Sequence, residues 1–222
     1  MIPARPSQLP IAITMGDPAG IGPEIIAKAF RDDPTVTAGC FVVGDMATLR
    51  RASAVVSGPG RPLIPVSRID APQEAYATPP RCIPVLQTPQ RLGPVAVGRV
   101  SAEAGQAAAD CVVWAAQAAL RKEIGAIVTA PLHKEALAAA GISYPGHTEL
   151  LQAQAAAFLG KSVSEVPVRM MLANDELRTV LLSIHVALRD AIDAVTPENL
   201  LETLRITHES VGALLQRAPR IG

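Results

Sequence analysis

Residues 11–23 read Ile-Ala-Ile-Thr-Met-Gly-Asp-Pro-Ala-Gly-Ile-Gly-Pro, and this passage constrains the fold more than any other. The first five residues form an apolar run suited to a buried strand. Gly16 to Gly22 then make a glycine-rich turn, and Pro23 stands where a helix accepts proline, in its first turn. A strand that passes through a tight turn directly into a helix points to crossover connections, because parallel strands need an intervening segment of a dozen or more residues. The pattern recurs. Residues 40–43 form a second apolar strand closed by Gly44-Asp45, and residues 101–122 form an Ala-rich helix opened by Ser101. That helix has apolar positions at Ala108, Cys111, Val112, Ala115 and Ala119, spaced by three and four. Residues 124–130 make another strand, which runs into Pro131. Such alternation predicts an α/β protein with a partly parallel sheet.

Elsewhere the signals are more local. Residues 53–94 are rich in Pro, Gly and Ser around short apolar islands and read as short strands and loops. Residues 168–173 and 179–185 flank Asn174-Asp175-Glu176 and predict a hairpin, with His185 closing its second strand. Thr196-Pro197-Glu198 predicts a capped helix start, and that helix should run to about Gln216. The last residues, Ala218-Pro-Arg-Ile-Gly222, resemble the entry to a further strand, so the sheet is expected to continue beyond the 222 residues.

Composition narrows the function classes. With 49% hydrophobic and 18% charged residues, the chain can bury a sizeable core. A net charge of zero offers no surplus to neutralise nucleic-acid phosphates or an anionic bilayer, and 3% aromatics leave few base-stacking platforms. No nucleic-acid or membrane partner is expected, and no apolar run approaches the ~18 residues of a membrane span. The start of the chain lacks the apolar core of a signal peptide, so a cytoplasmic location is expected. Cys40, Cys82 and Cys111 are scattered without CxxC spacing and read as small buried hydrophobes.

The glycine turn matches neither common phosphate cradle. No Gly-Lys-Ser/Thr follows it, and Ile25 stands where a Rossmann fingerprint needs Gly or Ala. Pro23 also lacks an N–H that a phosphate would use. From the residues alone, a ligand loop and a purely structural turn are equally good readings. Of the four histidines, His133 follows a strand, where α/β enzymes place ligand loops. His147 and Thr148 open a helix, whose first-turn N–H groups suit a phosphate or carboxylate. His185 ends an apolar strand, a position open to a metal ligand. Each of these alone is more often structural than functional, and His208 reads as structural. Asp17, Glu149 and Asp190 are the nearby carboxylates, and Arg189-Asp190 reads equally well as a plain ion pair. There is no nucleophile elbow, HExxH or Cys/His cluster, and no catalytic residue can be assigned.

Taken together, Thr14-Met-Gly-Asp-Pro-Ala-Gly-Ile-Gly-Pro-Glu24, Thr129-Ala-Pro-Leu-His-Lys-Glu135, Gly146-His-Thr-Glu149 and Met170-Met-Leu-Ala173 through His185 resemble the 4-hydroxythreonine-4-phosphate dehydrogenase family, in its order and spacing. The resemblance runs from Ile11 over nearly the whole chain. It implies an isocitrate/isopropylmalate dehydrogenase-like two-domain α/β fold, incomplete in this chain. An N-terminal α/β domain would occupy 1–140, lacking its C-terminal complement, with a partial central, dimerising domain at 141–222. The implied activity is oxidation of 4-phosphohydroxy-L-threonine by NAD or NADP, followed by decarboxylation, on the route to pyridoxine 5'-phosphate. A divalent metal (zinc, magnesium or cobalt) would be held by three histidines in an active site shared across a homodimer.

By the same resemblance, His147 and Thr148 would contact the substrate and His185 would be one metal ligand. Asp17, His133 and Lys134 would line the cleft without a fixed role. The family's other two metal histidines belong to Asn-Pro-His and His-Asp-Gln-Gly segments that these 222 residues do not contain. Two rival expectations remain. One is a paralogue acting on a four-carbon sugar-acid phosphate or an aromatic cis-diol carboxylate, with His147-Thr148 favouring a phosphorylated substrate. The other is an inactive fragment that only associates.

Overall fold

The computed structural model describes residues 8–88 and 92–222, and it divides into two compact units that meet between Glu165 and Val166. The first unit is built on five strands, β1 (Ile11–Thr14), β2 (Cys40–Gly44), β3 (Val66–Ile69), β4 (Ile83–Gln87) and β5 (Ala126–Thr129). They lie in the order β3-β4-β2-β1-β5, and every pairing is parallel. The α/β expectation is met, with the sheet of this unit parallel throughout. Helices α1 (Gly22–Asp32), α2 (Met46–Ser57) and α3 (Ala102–Leu120) carry the main connections, and α4 (Lys134–Ala139) and α5 (His147–Leu159) follow β5.

The central strands are buried on both faces. Ala12, Phe41, Val42, Val43, Ile83 and Val85 are fully inaccessible, which is why β2 reads as an unbroken apolar run rather than an alternation. β1-α1-β2 steps toward one edge of the sheet, and β4-α3-β5 crosses back to the other. Right-handed crossovers therefore set α1 and α3 on opposite faces. The edge-to-face contact of Phe41 with Trp114 of α3, 6.0 Å between centroids, marks one of these faces. α3 presents small residues inward, Ala104, Ala107, Ala108, Cys111 and Ala115 among them. At Gly105 the approach of α4 is so close that a Cβ would collide with the Ala136 carbonyl. Ser101 caps α3 as its sequence predicts, accepting from the Ala104 N–H at 3.2 Å.

The second unit holds a hairpin of β6 (Met171–Ala173) and β7 (Arg178–Val180), then α6 (Leu188–Asp193) and α7 (Pro197–Leu215). Asn174 closes the hairpin turn, its Oδ1 accepting from the N–H groups of Glu176 and Leu177. Thr196 caps α7 through the Asn199 N–H. Arg169 docks on α7, with Nη2 2.6 Å from Glu202 Oε2 and Nε 2.8 Å from Thr203 Oγ1. Within this unit Leu188 is 80% exposed and Leu214 68%, an apolar surface its own residues do not cover.

Several expectations change. The 53–94 stretch begins with the last turn of a helix, α2, whose start is set by Asp45 accepting from the Thr48 N–H at 2.8 Å. α4 and α6 have too few residues to show a helical period and were not expected. The second hairpin strand stops at Val180 rather than reaching His185. Past the Leu181 N–H bond to the Met170 carbonyl no strand among the described residues pairs with this segment. The compact units divide at 165/166. α5 packs on α3 and so stays with the sheet unit.

Candidate active site

In open α/β sheets, ligands gather beyond the carboxyl ends of the strands, where the strand order changes direction. Here that point is the β1/β5 border, since β1 connects outward to β2 while β5 arrives from β4 on the far side. The two strands run in register from Ile11 opposite Ala126 to Thr14 opposite Thr129. Their continuations form the candidate site, with Met15 to Gly22 after β1 and Ala130 to His133 after β5.

These continuations are tied together. The Asp17 N–H donates to the Pro131 carbonyl at 2.9 Å, and the Ala130 N–H donates to the Thr14 carbonyl at 3.2 Å. Gly16 takes φ 72°, and a Cβ there would strike the Pro131 carbonyl, so glycine is required on both counts. Asp17 is only 5% exposed. Its Oδ1 accepts from the Ala19 N–H at 2.8 Å, and its carbonyl accepts from the Gly20 N–H at 3.0 Å. The carboxylate braces the turn. The Asp17, Ala19 and Gly20 N–H groups are thus used within the site, and Pro18 and Pro23 have none.

α5 reaches the same border. His147, the first residue of α5 after the Gly146 cap position, hydrogen-bonds the Ala130 backbone. Its Nε2 is buried and has no hydrogen-bond partner. Burial holds the imidazole below its ordinary pKa, and the Ala130 bond works in the opposite direction. Burial thus favours the neutral ring, and Nε2 is left without a partner. Thr148 is half-buried in the same first turn. His133 and Lys134 are exposed at the start of α4, directly after the Ala130-Pro131 corner. Thr14 Oγ1 is a second buried polar atom here without a partner.

Comparison with known proteins gives this arrangement a context. The family model described as "Pyridoxal phosphate biosynthetic protein PdxA" matches residues 37–222. The chain belongs to that family. A relative named 4-hydroxythreonine-4-phosphate dehydrogenase, from Beijerinckia indica, is 45% identical over 96% of this chain and 59% of its own length. One named D-threonate 4-phosphate dehydrogenase, from Salmonella typhimurium, is 39% identical over 95% of this chain and 61% of its own. Among solved structures, a 4-hydroxythreonine-4-phosphate dehydrogenase from Klebsiella pneumoniae superposes with a TM-score of 0.78 at 35% identity, over 92% of this chain and 59% of that one. A terephthalate 1,2-cis-dihydrodiol dehydrogenase from Burkholderia xenovorans, at 22% identity and TM-score 0.58 over 92% of this chain and 57% of that one, shares the fold. The chain spans about 59% to 61% of the length of the two curated relatives.

In this PdxA-family chain, the residues singled out from the sequence fall in both units. His147, Asp17 and the residues leading into His133 and Lys134 come to one sheet border. His185 lies in the second unit, exposed in a bend, with φ 59°. Among the described residues no three His, Cys, Asp or Glu side chains are placed to hold a metal ion, so these residues alone do not fit a divalent cation. The three cysteines are free and buried; burial raises all three thiols, and Cys111 is pushed up to about 12, so none is a nucleophile.

One residue escaped the sequence reading. Arg51 of α2 donates from Nη2 to the Pro18 carbonyl at 2.5 Å and from Nη1 to the Val95 carbonyl at 3.4 Å. It clamps the glycine turn to the loop before α3, which also bonds the turn through Gly98 N–H to the Ala19 carbonyl at 2.8 Å. Nothing local in the sequence marks it, because its partners lie 33 and 44 residues away. Asp45 had a readable signal, a short acidic residue three positions before Thr48.

Proposed function

We propose that this chain forms part of an NAD- or NADP-dependent dehydrogenase that oxidises the secondary alcohol of 4-phosphohydroxy-L-threonine. Hydride would pass to the nicotinamide and a proton to a base, leaving a β-keto acid that loses carbon dioxide in pyridoxine 5'-phosphate biosynthesis. The observation that carries the proposal is the unpartnered, buried Nε2 of His147 at the first turn of α5. A neutral imidazole whose Nε2 carries the lone pair would accept a hydrogen bond from a substrate hydroxyl or a protonated phosphate oxygen. Thr148 Oγ1 and the free N–H groups of the same helix start suit the phosphate itself. His133 and Lys134, exposed after β5, would line the entrance, and Lys134 would add positive charge. Asp17 acts here as a brace for the turn beneath them.

The family resemblance gives the enzyme a divalent cation (zinc, magnesium or cobalt) with His185 as one ligand. The remaining ligands would come from beyond the described residues of one chain, with a homodimer sharing the site and 141–222 contributing to the dimerising domain. The 222-residue polypeptide by itself is therefore expected to turn over little or no substrate. Metal-dependent NADH formation by that polypeptide alone would contradict this.

A second substrate is raised by the name of another relative. A relative named for D-threonate 4-phosphate is 39% identical, against 45% for one named for 4-hydroxythreonine 4-phosphate. The two substrates share the phosphate end and differ in bearing a hydroxyl or an amine beside the carboxylate. The deciding experiment follows NADH absorbance with each substrate, using the whole protein with added metal. Higher kcat/KM for 4-phosphohydroxy-L-threonine, lost on His147→Ala, supports the proposal. Preference for D-threonate 4-phosphate would move the assignment to the paralogue, and turnover of neither would sink it.

A further inference from the structure

A pocket of about 570 Å³ opens at the opposite edge of the sheet from the candidate active site. Its walls come from the C-terminal ends of α1 and α2 and from the residues leading into β3 and β4. This position follows from the parallel topology: helix C-termini and strand N-termini share one edge, and the glycine turn lies on the other. The pocket is lined by Arg31, Asp32, Ser57, Arg61, Leu63 and Arg81, with prolines between them. We infer that it is a second ligand site, for a phosphate group carried by a small organic molecule.

Charge and hydrogen bonding carry the inference. Arg31 is committed, its Nε 2.6 Å and Nη2 2.9 Å from the Asp32 carboxylate and its Nη1 2.9 Å from the Val56 carbonyl at the end of α2. Among the described residues Arg61 and Arg81 make no ion pair and no side-chain hydrogen bond, yet both face this pocket. Two guanidiniums with unused donor forks suit the oxygens of a phosphate. Ser57, also in the lining, is only 5% exposed, and its Oγ is a buried hydroxyl with no hydrogen-bond partner. A buried hydroxyl left unbonded is costly, and a ligand oxygen would satisfy it.

The opposing charges are the Asp32 carboxylate and the two helix C-termini, which place partial negative charge at this edge. Attraction for an anion therefore depends on Arg61 and Arg81. The exposed Leu63 side chain and the flanking Pro62 and Pro65 add an apolar wall, which favours an organic phosphate over the bare ion. The inference is independent of the dehydrogenase reading.

The test is isothermal titration of the full chain with inorganic phosphate and with phenyl phosphate, at low salt. Each arginine contributes a charge-assisted bond, so Arg61→Ala with Arg81→Ala should weaken binding about a hundredfold, roughly tenfold per residue. The melting profile should not change, because both side chains are exposed and unpartnered. Ser57→Ala should weaken binding by a smaller factor. Phenyl phosphate binding more tightly than phosphate supports an organic ligand held against the Leu63 wall. Equal affinities overturn the organic part of the assignment, leaving inorganic phosphate. Binding unchanged in the double arginine variant, or absent from the parent chain, overturns the site altogether. A component of the titration that is lost in His147→Ala and untouched by the double arginine variant belongs to the α5 helix start and not to this pocket.

Discussion

Replacing Gly105 by alanine sets two opposing effects against each other. In a helix interior, Gly→Ala is ordinarily stabilising by about 1 kcal/mol, through lower backbone entropy in the unfolded chain and better helix propensity. At Gly105 the new Cβ would run into the Ala136 carbonyl and lie 2.8 Å from the Leu137 nitrogen. Both are backbone atoms of α4, which cannot rotate away as a side-chain tip could. Overpacking of this kind costs typically 1–3 kcal/mol, and a backbone collision belongs at the top of that range. The net effect is a loss of about 2 kcal/mol. For a unit of this size that lowers Tm by about 4–8 °C.

Gly212 in α7 provides the control. A Cβ there meets nothing closer than Pro219 Cδ at 3.6 Å, so Gly212→Ala should stabilise or leave Tm unchanged. Thermal unfolding followed by circular dichroism reads both. If Gly105→Ala melts at or above the parent temperature, the close approach of α3 and α4 is not as described. Since α4 begins at the His133-Lys134 corner, the same substitution should also raise KM in the whole enzyme.

Three further outcomes are expected. The folded-state pKa of His147 lies below its ordinary value near 6.5, so its contribution to stability is fully present above about pH 6.5. That contribution is lost as the pH falls from there through the lower folded-state value; Tm measured from pH 7.5 down to 5 should drop less in His147→Gln than in the parent, and parallel curves would refute the burial argument. Arg51→Ala removes two charge-assisted bonds that brace the glycine turn, and should cost about 1.5–3 kcal/mol in denaturant unfolding. A cost below about 0.5 kcal/mol would show the clamp to be idle. The uncovered apolar residues of the second unit, Leu188 and Leu214 among them, predict that the 222-residue polypeptide self-associates. A monodisperse monomer in sedimentation would contradict this.

The division between sequence and structure follows the range of the interactions. β1, the glycine turn, α1, α3 and α7 were legible because their signals are local. A strand period, a proline in the first turn, Ser101 and Thr196 as caps and the Asn174 hairpin turn all act within about five residues. α2 was missed because its Ala, Arg and Ser content has little amphipathic contrast and its cap, Asp45, reads equally well as a turn residue. α4 and α6 are shorter than two turns and leave no period to detect.

The candidate site divides in the same way. That His147 opens a helix and His133 follows a strand could be read from neighbouring residues. That both meet the glycine turn depends on β5 pairing with β1 across more than a hundred residues, a contact no local pattern encodes. The same pairing ties the turn to the exit of β5, because the Pro131 carbonyl accepts from the Asp17 N–H, while the Asp17 carboxylate takes the Ala19 N–H and braces the turn. The strand proposed to end at His185 failed for the complementary reason. Apolar residues define a strand only where another strand offers hydrogen bonds, and past Leu181 none is present among the described residues. The sequence by itself determined which segments prefer helix or strand and where they turn. Only the tertiary structure decided which of those ends face one another, because backbone pairing and close packing join residues that sequence distance keeps apart.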